Sequence, residues 1–228
     1  MATYDLEEQE QLDEIKTWWK QHGNLLINVI TALSLIVVAW QGWNWYQRNQ
    51  SAQASMVYNL LQKSVLEKDS QRVRTASDQL LDKFSGTSYA SLGALAAAKV
   101  MIDAGDAKSA KTQLLWVVEH GKDELRDLAR LRLAAVLLDE KEYDQALKQL
   151  DGSVGAGFEA IFSDNRGDVF SAQGKKAEAL GAYQNAMGKL DAKDKSLKGR
   201  NSAPQEQTNA VYRELLRQKI DALGVNPQ

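Results

Sequence analysis

Leu131-Arg132-Leu133-Ala134-Ala135-Val136-Leu137-Leu138-Asp139-Glu140-Lys141-Glu142-Tyr143-Asp144-Gln145-Ala146-Leu147-Lys148-Gln149-Leu150 decides the fold. Apolar residues recur at three- and four-residue spacing on both sides of a charged run, Asp139 to Glu142, which reads as two helices joined by a turn. A small residue on each helix, Ala134 and Ala146, lets two antiparallel backbones approach closely. Leu150, four residues after Ala146, fills the space beside them.

The same arrangement recurs on either side. Alanines stand at 110, 146 and 179, offset by 36 and 33 residues, close to the 34-residue tetratricopeptide period. Twelve residues before each stands a small residue, Ala98, Ala134 and Gly167, and four after each a large one, Leu114, Leu150 and Tyr183. Gly105, Lys141 and Gly174 precede the alanines by five and mark the turns. Ala76 and Leu80 continue the series weakly toward the amino terminus. The expected fold is all-α: one transmembrane helix, then a tetratricopeptide-like α-solenoid of three to four helix pairs and a capping helix. The weak pair falls at 51–85, the repeats at about 91–120, 127–153 and 160–188, and the cap at 204–223. The cap begins with Pro204 in its first turn and places Tyr212, Leu215, Leu216 and Leu223 on one side. Gly188 to Ala203, rich in lysine and poor in apolar residues, reads as a solvated linker. A helical bundle without true repeats is the competing reading.

Outside the repeats one segment stands apart. Residues 21–47 carry no Asp, Glu, Lys or Arg. From Gly23 to Tyr46 there are 24 residues, roughly 36 Å as a helix, enough to cross a hydrocarbon core of about 30 Å with some tilt. Ten residues between Leu25 and Val38 are Leu, Ile or Val, and together they favour insertion by about 3 to 6 kcal/mol. Trp18 and Trp19 on one side and Trp40, Trp43, Trp45 and Tyr46 on the other form aromatic belts. Ala52-Gln53-Ala54 resembles a signal-peptide cleavage box, but a signal peptide starts basic, and this chain starts with Asp5, Glu7, Glu8, Glu10, Asp13 and Glu14. The reading is 1–22 a short acidic cytoplasmic tail, 23–46 the span through the lipid bilayer, and 47–228 a periplasmic domain. Lys16 and Lys20 close to the amino side set that orientation by a thin margin. Residues 8–21 read as a solvated, partly disordered tail, and Leu12, Ile15 and Trp19, at helical spacing, leave an amphipathic extension of the membrane helix as the alternative. Asn28 and Thr31, on one side of the span with Asn24, are candidates for contact with a neighbouring membrane helix.

Composition excludes several function classes. Beyond the tail, 24 acidic residues meet 26 basic ones, so no basic face exists to displace the counterions of a nucleic acid. The chain has no cysteine and two histidines, His22 and His120, which removes disulfides and the usual zinc sets. No phosphate loop, nucleophile elbow or dinucleotide fingerprint occurs. The glycine-dense patch Gly152-Ser153-Val154-Gly155-Ala156-Gly157 lacks the Lys and Ser/Thr of a phosphate loop and reads as a helix-ending turn. The expectation is a binding protein, not an enzyme, with no cofactor and no metal.

Repeats of this kind bind peptides or helices on the concave surface formed by the first helix of each pair. In this register that surface carries Leu92, Leu95, Lys99, Ile102, Leu128, Leu131, Leu138, Ile161, Asp164 and Asp168. It is largely apolar. Leu95, Ala135 and Ile161 occupy the positions where other tetratricopeptide domains place a basic and asparagine clamp, so the groove suits apolar segments better than acidic tails. Ala98, Ala110, Ala134, Ala146, Gly167 and Ala179 are the packing positions within pairs.

An acidic tail, Trp18-Trp19 before one span, a Trp-rich exit and weak repeats ending in a short helix together resemble the YfgM-type ancillary subunits of the SecYEG translocon. The stretches that carry the likeness are residues 11–16 (Gln-Leu-Asp-Glu-Ile-Lys), Leu131-Arg132-Leu133-Ala134 with Ala146-Leu147, and Asn165-Arg166-Gly167-Asp168 leading to Gly174-Lys175. The basic insertion around 193–203 is longer than is usual for that family. The resemblance implies a protein of the bacterial inner membrane whose periplasmic repeats associate with the translocon and with a membrane-anchored periplasmic chaperone of the prolyl isomerase type. It also implies a role in passing exported, unfolded chains to periplasmic chaperones. Two alternatives use the same groove: a scaffold for another envelope assembly and a cytosol-facing regulatory binder.

Overall fold

The computed structural model of the chain describes residues 4–197 and 203–224. Among these there is no strand, and the helices are α1 Tyr4–Leu66, α2 Ser70–Lys83, α3 Ser88–Asp103, α4 Ala107–His120, α5 Asp123–Asp139, α6 Tyr143–Leu150, α7 Glu159–Ala172, α8 Lys176–Leu197 and α9 Ala203–Ala222. The chain divides into two units, residues 1–53 and 54–228.

The first unit lies on α1, which begins at Tyr4; this corrects the reading of the tail as solvated and partly disordered, since the helix runs through it. It carries the one helix among the described residues long and apolar enough to cross a membrane. Its large side chains, from Leu25 through Trp45, are exposed, as a lipid-facing surface requires. The hydroxyls of Thr31 and Ser34 donate to the Ile27 and Ile30 carbonyls, 2.8 Å each, so neither hydroxyl proton is left without an acceptor in the apolar stretch.

In the second unit the three turns read from the repeat share one geometry. Gly105, Lys141 and Gly174 adopt φ of 78°, 62° and 75°. Each is followed by a residue whose N–H reaches back five positions, Asp106 to Met101 at 2.8 Å, Glu142 to Leu137 at 2.8 Å and Lys175 to Phe170 at 2.9 Å. These bonds satisfy the last carbonyls of α3, α5 and α7. Lys141 holds without strain relief a conformation that glycine adopts freely. Asp106 then caps α4: its carboxylate accepts from the Ser109 N–H at 3.0 Å and from Arg74 of α2 at 2.6 Å. The Ser109 bonds, foremost, and the Arg74 guanidinium hold it well below the ordinary carboxylate range, at about 2.

Ala98, Ala110, Ala134, Ala146 and Ala179 are at most 1% exposed. At Gly167 a Cβ would overlap the Tyr183 ring, whose Cζ would lie 2.9 Å away, so glycine there is set by the aromatic ring of the facing helix. One apolar cluster runs from Ala54 and Leu61 of α1 to Phe162 and Val169 of α7. Polar bonds add to it: the buried Ser77 hydroxyl of α2 donates to Gln113 of α4 at 3.0 Å, and Lys111 of α4 bonds Glu140 and Glu142 in the turn between α5 and α6.

A second cluster joins α8 and α9 through Tyr183, Ala186, Leu190, Leu216 and Leu223. This corrects the linker reading of Gly188 to Ala203. Helix α8 continues to Leu197 because Leu190 extends the face begun by Tyr183 and Ala186, and Leu190 is 4% exposed. Asp191 and Asp194, which break up the basic run, are the partners of Arg213 of α9. Residues 198–202 of that reading lie outside the described residues. Leu215 is also corrected. It is 46% exposed, and the buried side of α9 is instead completed by Ile220 and Tyr212.

Two substitutions test the packing and the turns by urea unfolding of the detergent-solubilised chain. Gly167→Ala forces the Tyr183 ring to move and is expected to destabilise by about 1–3 kcal/mol. Lys141→Gly relieves the left-handed backbone and is expected to stabilise by about 0.5–1 kcal/mol after the entropy glycine adds to the unfolded chain.

Candidate protein-interaction site

The ten residues read as a groove separate into three groups. Lys99, Ile102 and Ile161 are exposed, the two isoleucines at 39% each, and Leu92, Leu128 and Leu138 are half-buried. These six, on α3, α5 and the first turn of α7, remain available as a surface. Leu95 and Leu131 are 4% and 7% exposed and belong to the main core. A first helix must bury one apolar stripe against its own pair and its neighbour, and these two leucines lie on that stripe.

Asp164 and Asp168 face the cap. Lys219 of α9 bonds them at 2.7 and 2.8 Å, Tyr212 donates to Asp164 at 2.8 Å and Tyr183 to Asp168 at 2.8 Å. Burial opposes the charge on Lys219, but the two carboxylates outweigh it and raise its pKa. Burial first, and the same carboxylates after it, push both tyrosine hydroxyls far up. The pair therefore anchors α9, with the Asp164 side chain 6% exposed.

Two arginines hold α5 to α3 and to the loop after α6, and neither carries a signal in the repeat spacing. Arg132 of α5 donates from Nη1 to the Leu95 carbonyl of α3 at 3.0 Å, which ties neighbouring first helices together. Arg130 donates to the carbonyls of Gln149 at 2.8 Å, Ser153 at 3.2 Å and Asp151, and lies 4.9 Å from the centroid of the Phe162 ring. Asp127 accepts from the Gly155 N–H at 2.9 Å and pairs with Arg130 at 3.3 Å. The glycine-dense patch is thus a loop held in place by α5, with Gly152 at φ 89°, and it replaces the later turns that α6 lacks. A signal existed in the short α6 pattern, Tyr143–Leu150, followed by three glycines.

Among the described residues no group of His, Cys, Asp or Glu is placed to hold a metal ion. His22 stacks on Trp18 and His120 on Trp116, with ring centroids 5.4 and 4.6 Å apart, and each bonds its own helix backbone. In the span Asn28 is exposed on the helix surface, while the Thr31 hydroxyl is already bonded to Ile27.

The tetratricopeptide repeat-like domain family matches residues 16–225. A protein of Neisseria gonorrhoeae called ancillary SecYEG translocon subunit is 33% identical over 223 residues, 96% of this chain and 98% of its own length. Proteins of the same name from Haemophilus influenzae and Escherichia coli are 30% and 29% identical, over 81% and 78% of this chain and 90% and 85% of their own. The likeness covers the uncharged span and the repeats together, and the chain belongs to the tetratricopeptide repeat-like family of the ancillary SecYEG translocon subunits.

Proposed function

We propose that this chain is a membrane-anchored adaptor at the SecYEG translocon that helps hand exported proteins to periplasmic chaperones. The observation that carries the reading is identity of 33% with a translocon subunit over 98% of that protein, so that anchor and repeats are shared as one unit. The family is one of protein-interaction adaptors rather than enzymes. The acidic tail of about residues 1–22 lies in the cytoplasm and residues 47–228 in the periplasm, where the apolar face with Ile102, Leu138 and Ile161 meets exported segments. A membrane-anchored chaperone of the prolyl isomerase type is a second partner, and Asn28 is the polar contact of the span.

The chemistry suits brief contacts. Six partly exposed residues offer little apolar area, and a tether at the membrane compensates by raising the local concentration of client and partner. In mild detergent extracts the tagged chain is expected to co-purify with translocon components, and an alkaline phosphatase fusion after residue 60 is expected to be active. Loss of co-purification refutes the translocon role. An inactive fusion refutes the orientation.

A further inference from the structure

The connection between α2 and α3 and the one between α4 and α5 enclose a cavity of about 310 Å³, within the range of small-ligand pockets. Its walls are polar. Ser88 and Ser91 of α3 line one part, and His120, Lys122, Asp123 and Glu124, around the start of α5, line the rest. Ser91 is 5% exposed, yet its hydroxyl has no hydrogen-bond partner among the described residues. A buried hydroxyl without a partner is costly, and the one place open to this residue is the cavity it lines.

The amino terminus of α3 is unmet at the same place. Helices α2 and α4 are capped by Asp69 and Asp106, which accept from backbone N–H groups of their first turns, and α5 carries Asp123 and Glu124 in its first turn. Helix α3 has neither. Thr87, its N-cap residue, donates its hydroxyl proton to the Phe84 carbonyl at 2.8 Å, no side chain caps the helix, and its first turn holds no acid. The first N–H groups of a helix lack intrahelical partners and favour an anion. The hydroxyls of Ser88 and Ser91 and the ammonium of Lys122 add donors on the same cavity, and such a set suits a phosphoryl group, which has more acceptor oxygens than a carboxylate.

The two carboxylates oppose a bare anion. Among the described residues neither Asp123 and Glu124 nor Lys122 make an ion pair, so the lysine does not neutralise them. His120 sides with them, because its Nδ1 is bonded to the Trp116 carbonyl at 3.0 Å, and a neutral ring that donates from Nδ1 offers a lone pair at Nε2. Acceptors thus accompany the donors, and one small molecule satisfies both sets only if it carries an oxyanion and an ammonium together. We propose that this cavity binds a phosphate ester bearing a primary ammonium, the chemistry of phosphoethanolamine. The phosphoryl oxygens meet the first turn of α3 with Ser88, Ser91 and Lys122, and the ammonium meets Asp123, Glu124 and His120. This site is separate from the apolar face of Ile102 and Ile161 and goes beyond the adaptor reading.

Isothermal titration calorimetry of the full chain in a maltoside detergent tests this, with O-phosphoethanolamine, inorganic phosphate and ethanolamine as probes. O-phosphoethanolamine is expected to bind with a Kd of about 1 mM or below, and each fragment about tenfold more weakly or worse. Ser91→Ala removes only an unbonded hydroxyl and is expected to weaken O-phosphoethanolamine and phosphate alike, about threefold to tenfold. Glu124→Gln is expected to weaken O-phosphoethanolamine about threefold and to strengthen phosphate, a split that a merely structural role would not produce. Glycerophosphoethanolamine, the diester of a lipid head group, identifies the source: tighter binding than the monoester assigns a lipid, weaker binding a soluble ester, and either supports the site. Absence of binding at about 10 mM O-phosphoethanolamine, phosphate bound as tightly as the ester, or unchanged affinity in Ser91→Ala overturns it.

Discussion

Within each helix pair of the second unit, a first helix can seat its partner only where a small residue leaves room. Ala98, Ala134 and Gly167 do this on α3, α5 and α7, with Ala110, Ala146 and Ala179 on the helices that follow. At Gly167 the constraint is visible atom by atom, since Tyr183 occupies the volume a side chain would need. Close seating fixes the rotation of each first helix about its axis. That rotation decides which residues are left for a partner: Ile102 and Ile161 remain outside, and Leu95 and Leu131 go into the core.

Much of this was legible in the residue pattern. The period, the small positions and the three turns needed only identities at fixed offsets, and the turns were legible because Gly105 and Gly174 mark a left-handed backbone that Lys141 shares without announcing it. The residues read as a groove divide by burial: Ile102 and Ile161 stay exposed, whereas Leu95 and Leu131 are buried. A first helix carries apolar residues on two adjoining stripes, one toward its neighbours and one toward solvent, and a spacing of three and four does not say which leucine belongs to which. Asp164 and Asp168 were illegible for another reason: their partner Lys219 is about fifty residues away, and an isolated carboxylate looks solvated until its cation is found. Arg213 rescued Asp191 and Asp194 from the same misreading, and with it α8 gained the turns that composition had assigned to a linker.

The polar contacts divide into two kinds by what they hold. Arg74 of α2 with Asp106 at the start of α4, and Lys111 of α4 with Glu140 at the end of α5, pair at partly exposed positions, where such pairs add little individually. Lys219 between Asp164 and Asp168 is more enclosed, with the Asp164 side chain 6% exposed, and removing the lysine would strand a buried carboxylate. The cap is therefore specified by charge as much as by Leu216 and Leu223. On α1 the logic is opposite: in the span Thr31 and Ser34 bond their own backbone, and Asn28 lies exposed on the helix surface.

The central claim is that the solvent-facing stripe of the first helices, and not the second helices, meets exported chains at the membrane. Site-specific photocrosslinking in living cells tests it most directly, with the probe placed at Ile102, at Ile161 and, as a control of similar exposure, at Leu115 of α4, which is 43% exposed. The account predicts adducts with newly exported chains from Ile102 and Ile161 and none from Leu115. Adducts from Leu115 alone, or from all three alike, would contradict it.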